Sequence, residues 1–144
     1  MKLLFLTLLI CICANLFAQD INQDINTITV KGITFNQVLS HLAKSGYSIG
    51  KLDNKSKTVQ TNFLRYNSRT SSINISIKVH VRDSVAAITG KMCYNMNNSR
   101  DGIPDSARAL NIRYTFGTYK EAFLQMDQFA RSLKPEVIYS KTYL

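Results

Sequence analysis

Between Ile73 and Arg82 the chain alternates without a break: Ile73, Ile75, Ile77, Val79 and Val81 fall on one side, Asn74, Ser76, Lys78, His80 and Arg82 on the other. A β-strand points successive side chains to opposite faces, so this pattern demands one dry face and one wet face. An antiparallel sheet covered on one side satisfies both. Asp83-Ser84 can turn the chain. A two-residue turn there opposes Val81 with Ala86, Val79 with Ile88, Ile75 with Met92 and Ile73 with Tyr94, apolar against apolar at each step. The same register sets Cys93 opposite Asn74, on the wet face, as an accessible thiol.

Two helices are expected to cover the dry face. Thr34-Phe35-Asn36-Gln37 has the capping-box spacing, in which the threonine oxygen accepts a backbone N–H and the glutamine reaches back. Ile33 and Val38 flank it as a hydrophobic staple. Phe35, Val38, Leu39 and Leu42 then form one stripe, each contributing about 1.5–3 kcal/mol if buried. Gly46 is placed to end the helix as a left-handed cap. Further on, Thr118-Tyr119-Lys120-Glu121 has the same capping spacing and opens a helix with the stripe Ala122, Phe123, Met126, Phe129, Ala130 and Leu133. Pro135 ends it. His41 lies off the first stripe and reads as a solvated helix residue.

The remaining segments are read as short strands and loops. Ile28 and Val30 alternate before Gly32. Tyr47 and Ile49 pair with Val59, Thr61 and Phe63 as a hairpin around Asp53-Asn54-Lys55-Ser56, with a loop of three or five residues to keep Ile49 and Val59 on one face. Residues 65–72 read as a loop, residues 95–112 as a long connection with turn signals at Asp101-Gly102 and Pro104-Asp105, and Ile112, Tyr114 and Phe116 as a last strand. The tail with Val137, Ile138, Tyr139 and Tyr143 docks as a short extension or packs loosely.

At the start, Lys2 precedes an apolar run from Leu3 to Cys13 that is too short to span a bilayer, and Ala18 offers a small residue at a cut. Residues 1–18 are therefore expected to be a cleaved export signal, residues 19–27 a flexible lead-in and residues 28–144 a single domain, periplasmic or secreted, with no transmembrane helix. An uncleaved anchor is the rival. Lipidation at Cys11 or Cys13 is disfavoured, because isoleucine precedes each where a small residue is needed. Cleavage leaves Cys93 as the single thiol, so no internal disulfide can staple the fold and a packed core must hold it. It also lowers the net charge from +9 to +8 by removing Lys2. That excess favours polyanions, and its scatter along the chain argues against a nucleic-acid arm.

The order is strand, helix, four or five antiparallel strands, then helix. It predicts an α+β fold of two layers, with about five strands and both helices on one face. On that order, and on the helix followed by Gly46-Tyr47 entering a hairpin across residues 35–63, the chain resembles helix-grip and TATA-binding-protein-like domains of small exported bacterial proteins. It is also similar to domains of the lipoprotein C subunit of the outer-membrane β-barrel assembly machine. Phe17-Ala18-Gln19 at the end of the leader looks like exported proteins of the Bacteroidetes.

No catalytic constellation accompanies this pattern. Two histidines and one cysteine in the exported part give no converging ligand set for zinc, and Asn98, Asp101 and Asp105 lack the spacing of a calcium loop, so no metal or cofactor is expected. In the expected register His80 and Cys93 share a face but stand several residue pairs apart, too far for a thiol and its base. An intermolecular disulfide through Cys93 is the other use of that thiol. Lys78, His80, Arg82 and Lys91 make the one patch with chemistry to offer, suited to an anionic surface. Phe35, Leu39, Ile75, Ile77, Phe123 and Met126 would line a cavity if the domain carried an apolar ligand. The expected role is a non-enzymatic envelope module that binds another envelope protein or an anionic surface, with ligand carriage or inhibition of a partner enzyme through the loops as alternatives.

Overall fold

The structure is a computed structural model that describes residues 24–67, 72–94 and 108–142. The leader at residues 1–18 and the turn signals at residues 101–105 lie outside the described residues. Strand β1 (Thr27–Lys31) leads to helix α1 (Phe35–Lys44), then β2 (Ile49–Asp53), β3 (Thr58–Thr61), β4 (Leu64–Asn67), β5 (Ser72–Arg82), β6 (Val85–Tyr94) and β7 (Leu110–Asn111). Helix α2 (Gly117–Leu133) and β8 (Ile138–Ser140) follow. The strands form one antiparallel sheet in the order β2-β3-β5-β6-β1-β8, with β4 also on β5 and β7 also on β6. The α+β class is as expected, with eight strands where about five were anticipated.

The central hairpin follows the sequence pattern closely. Val81 opposes Ala86, Val79 opposes Ile88, Ile75 opposes Met92 and Ile73 opposes Tyr94. Asp83 and Ser84 both take positive φ, at 50° and 59°. That is the primed two-residue turn, whose twist matches the strands it joins. Strand β1 lies on the other side of β6, with Ile28 against Ile88 and Val30 against Ala86, and so extends the dry face.

Both helices bury their apolar stripes as part of one core with that face. Phe35, Val38 and Leu42 of α1 and Ala122, Phe123, Met126, Phe129, Ala130 and Leu133 of α2 are buried with Ile73, Ile75, Ile77, Val79 and Ile88. Thr34 caps α1 in a complete capping box: its backbone N–H donates to Gln37 Oε1 at 2.8 Å, and its hydroxyl oxygen accepts from Gln37 N at 3.4 Å. Gly46, at φ +80°, closes the other end. Its N–H donates to Ala43 O and that of Tyr47 to Leu42 O, satisfying two end carbonyls.

Helix α2 starts earlier than its capping spacing suggests. Phe116 holds the cap position in an extended conformation with no side-chain cap bond, so Thr118 lies inside the helix. Phe116, expected on a strand, is 82% exposed. The strand before α2 is instead the short β7, and Ile112 beside it is buried and donates its N–H to Gly90 O.

The β2–β3 hairpin has a four-residue loop, neither three nor five. Leu52 opposes Val59, and a register shift between Ile49 and Lys51 brings Ile49 opposite Thr61. The bulged residue, Gly50, restores the parity that an even-numbered loop alone would break, so Ile49 and Val59 still share a face. A second irregularity separates β3 from β4. Gln60 opposes Lys78 whereas Leu64 opposes Ile75, a one-residue shift across the bend at Thr61. Side chains replace the ladder there: Ser76 Oγ donates to Thr61 O at 2.7 Å and Ile77 N donates to Thr61 Oγ1 at 2.9 Å. Residues 65–67, the start of the segment 65–72 read as a loop, are therefore strand.

Both ends of the described chain are tied to the sheet. The segment expected as a flexible lead-in is already ordered at its end, because Ile25 is buried and bridges Tyr114, and Thr27 opens β1. The tail docks as β8, with Tyr139 opposite Ile28. Tyr139 OH donates to Asp127 Oδ1 at 2.8 Å and accepts from Arg131 Nη2 at 2.6 Å, while Arg131 Nε donates to Asp127 Oδ2 at 3.0 Å. Among the described residues no helix is long and apolar enough to cross a membrane.

Candidate functional site

With both helices on one face, no helix among the described residues covers the other face of the sheet. Alternation sends Lys31, Lys51, Lys78, His80, Arg82 and Lys91 to that face, and all six are exposed. Four of these carry a fixed positive charge from separate strands, and Arg82 adds a fifth.

The four residues singled out in the sequence do not act as one cluster. Ser76 opposes Lys91 and Lys78 opposes Thr89, so the two lysines are diagonal neighbours on adjacent strands. His80 stands one step further along β5, with Nδ1 3.0 Å from Thr58 Oγ1. Arg82 is at the turn, with Nε 3.5 Å from Asp83 Oδ2 in a pair whose side chains are 83% and 89% exposed. Two and four residues along a strand are about 7 and 14 Å. The structure therefore brings Lys78 and Lys91 together and sets Arg82 apart.

Between the two lysines is a hollow of about 160 Å³ lined by Gln60, Ser76, Lys78, Thr89, Gly90, Lys91 and Asn111. Its shape follows from side-chain length. Ser76 and Thr89 are short and form a floor, while Gln60, Lys78, Lys91 and Asn111 stand around it. Ser76 is held in place by donating to Thr61 O, and Gln60 Nε2 donates to Ser76 Oγ at 3.5 Å. Among the described residues no acidic side chain lines the hollow. Two ammonium groups at diagonal spacing repel by about 0.5 kcal/mol in a water-like dielectric.

Gln60 and Asn111 were not anticipated as site residues. Gln60 arrives through the pairing of β3 with β5, and Asn111 through the short β7, which sits where a loop was expected. The alternation of Leu110, Ile112 and Tyr114 is the signal that could have placed Asn111 on this face.

A second cavity, of about 510 Å³, is lined by Thr29, Lys31, Lys134, Pro135, Glu136 and Ile138. Here Glu136 offsets part of the positive charge. A third, of about 250 Å³, lies on the helix side beside Tyr47, Leu64 and Phe129. The six side chains considered for an apolar cavity line none of these three: Phe35, Ile75, Ile77, Phe123 and Met126 are core, with Leu39 packed against them.

The thiol is not where its strand position implied. Cys93 does oppose Asn74, yet Cys93 is 5% exposed and Asn74 6%. The open face is therefore wet only from about Lys78 and Lys91 toward the Asp83-Ser84 turn, since Ser76 is buried as well. By strand rise, His80 and Cys93 are about 20 Å apart, which keeps them from acting as base and nucleophile.

Comparison with protein-family models gives no match to this chain, and comparison with curated proteins gives none.

Proposed function

We propose that this protein is an exported, non-enzymatic binding module of the bacterial envelope that docks its open sheet face on an anionic surface. One observation carries the reading: the face left uncovered by the helices presents Lys31, Lys51, Lys78, Arg82 and Lys91, and among the described residues the hollow between two of them has no acidic lining. Support for the location comes from the leader, with Lys2, the apolar run and Ala18 in the order of a cleaved signal. The resemblance to helix-grip and TATA-binding-protein-like domains of exported proteins, and to domains of the assembly-machine lipoprotein, agrees with a module that works by contact.

Flat, cationic faces attract anionic head groups through summed charge, and the attraction is screened over about 10 Å at 0.1 M salt. The test is co-sedimentation with phosphatidylglycerol vesicles against phosphatidylcholine vesicles over a salt series. Binding only to the anionic vesicles, weakening with salt and with Lys78→Ala plus Arg82→Ala, is the expected result. Equal recovery with both vesicle types, or no effect of salt, overturns the reading.

A further inference from the structure

The hollow on the open face sets two cations beside each other within a lining of neutral polar side chains. Arg82, Arg113, Arg131 and Lys141 each have an aspartate oxygen within reach, at 3.5, 3.7, 3.0 and 3.8 Å. Lys78 and Lys91 make no ion pair among the described residues; Lys31 and Lys51 make none either, but Lys78 and Lys91 are diagonal neighbours that line one hollow. Two like charges side by side, with neutral polar groups around them and no counter-charge among the described residues, make a place for an anionic ligand.

We propose that this hollow is a socket for one phosphate-monoester group, with Lys78 and Lys91 supplying the charge and Gln60, Thr89 and Asn111 the neutral hydrogen bonds. The inference rests on the docking reading above and narrows it to a single recognised group. A phosphate monoester carries about −1.5 to −2 at neutral pH, which two ammonium groups match, whereas a carboxylate or a phosphodiester carries only one charge. Charge-assisted bonds from lysine to phosphate oxygens are the strong kind, and they need no fixed fork geometry. The donor inventory fits as well. The Ser76 proton is committed to Thr61 O, so the hydroxyl of Thr89, the amide N–H groups of Asn111 and the second N–H of Gln60 complete the set.

Size restricts the occupant to a group and not a whole molecule. Cavities that enclose drug-sized ligands run to roughly 300–1,000 Å³, and this one holds about 160 Å³. The remainder of any ligand must lie outside, along the exposed face. A free phosphate ion and a lipid bearing a terminal phosphate present the same chemistry to the socket.

Titration of the protein with inorganic phosphate at constant ionic strength, followed by amide NMR, tests the socket directly. The expected result is a saturable shift at Ser76, Lys78, Thr89, Lys91 and Asn111, weakened about tenfold or more by Lys78→Gln or Lys91→Gln and unchanged by Lys31→Gln. A linear drift at all cationic positions, or equal weakening by Lys31→Gln, overturns the proposal. Vesicles containing phosphatidic acid or phosphatidylglycerol at equal surface charge separate the sources. Preference for phosphatidic acid, lost in Lys78→Gln plus Lys91→Gln, identifies a lipid phosphate. Saturable phosphate binding with no attachment to either vesicle supports the socket with a soluble anion and removes the docking reading. Equal attachment to both vesicles with no saturable phosphate binding does the reverse.

Discussion

Gly90 of β6 packs against Met126 of α2 with no room for a side chain: a Cβ on Gly90 would stand 3.2 Å from Met126 Sδ and 2.8 Å from Ile112 Cδ1. Gly90 faces the core opposite Ile77, where every other position of the hairpin's dry face carries a side chain. The missing side chain lets the helix settle. Gly90→Ala is therefore expected to destabilise by about 1–3 kcal/mol through overpacking. Met126→Ala alone is expected to cost about 2–5 kcal/mol by opening a cavity, and the double variant less than the sum, because each change relieves the other. Urea unfolding of the four proteins gives the coupling; strict additivity would deny the contact.

The Asp127–Arg131–Tyr139 triangle predicts an alkaline weakness. Burial, and then the bond donated to Asp127, raise the Tyr139 phenol above its ordinary value, against the opposing pull of Arg131. A raised folded value means that the folded protein holds the proton more tightly than the unfolded chain. Its contribution is complete below the unfolded value of about 10 and is lost as pH rises through the higher folded value. Tyr47, raised by burial, acts in the same direction. Tyr139→Phe is expected to cost about 1 kcal/mol at pH 8. Melting temperatures from pH 8 to 11 should show that difference shrinking above pH 10, and a constant gap would remove Tyr139 ionisation from the account.

Cys93 is expected to resist modification. In the folded protein a soluble disulfide reagent should react on the order of 100-fold more slowly than in the urea-unfolded chain, as local opening of about 3 kcal/mol implies. A native rate close to the unfolded one would place the thiol outside the buried set. Register and exposure separate at this residue. The pairing of Cys93 with Asn74 was readable from apolar matching, but burial of that end of the face depends on what covers it.

The same division runs through the chain. Period-two patterning over residues 73–92 carried the register because a one-residue slip would expose every isoleucine. Capping chemistry at Thr34 carried the start of α1 because the box and the staple agree with the apolar stripe. Patterning did not reveal β4, since Leu64–Asn67 is an edge segment whose side chains are mostly exposed and polar. Nor did it reveal the parity changes at Gly50 and Thr61, which are backbone irregularities stabilised by distant partners. At the candidate site Lys78 and Lys91 were legible from alternation along one hairpin. Gln60 was not, because its place depends on a strand pairing that local sequence does not determine, and Asn111 was missed because β7 is only two residues long and lies in a segment read as a connection.

The two Thr-x-x-Glu/Gln segments provide the sharpest contrast between spacing and geometry. The Thr34 hydroxyl accepts from Gln37 N and donates to Gln37 Oε1, which also accepts from Thr34 N, so Thr34→Ala removes two bonds and weakens the third. About 1 kcal/mol should be lost. Thr118 has the same spacing to Glu121 but lies past the cap at Phe116, inside the helix, with no cap bond to lose. Alanine is the better helix former, so Thr118→Ala should fall within about 0.5 kcal/mol of the parent. Chemical denaturation of the two variants side by side decides it. A loss at Thr118 equal to that at Thr34 would mean that α2 begins at the residue its spacing names, and that Phe116 and Gly117 precede the helix.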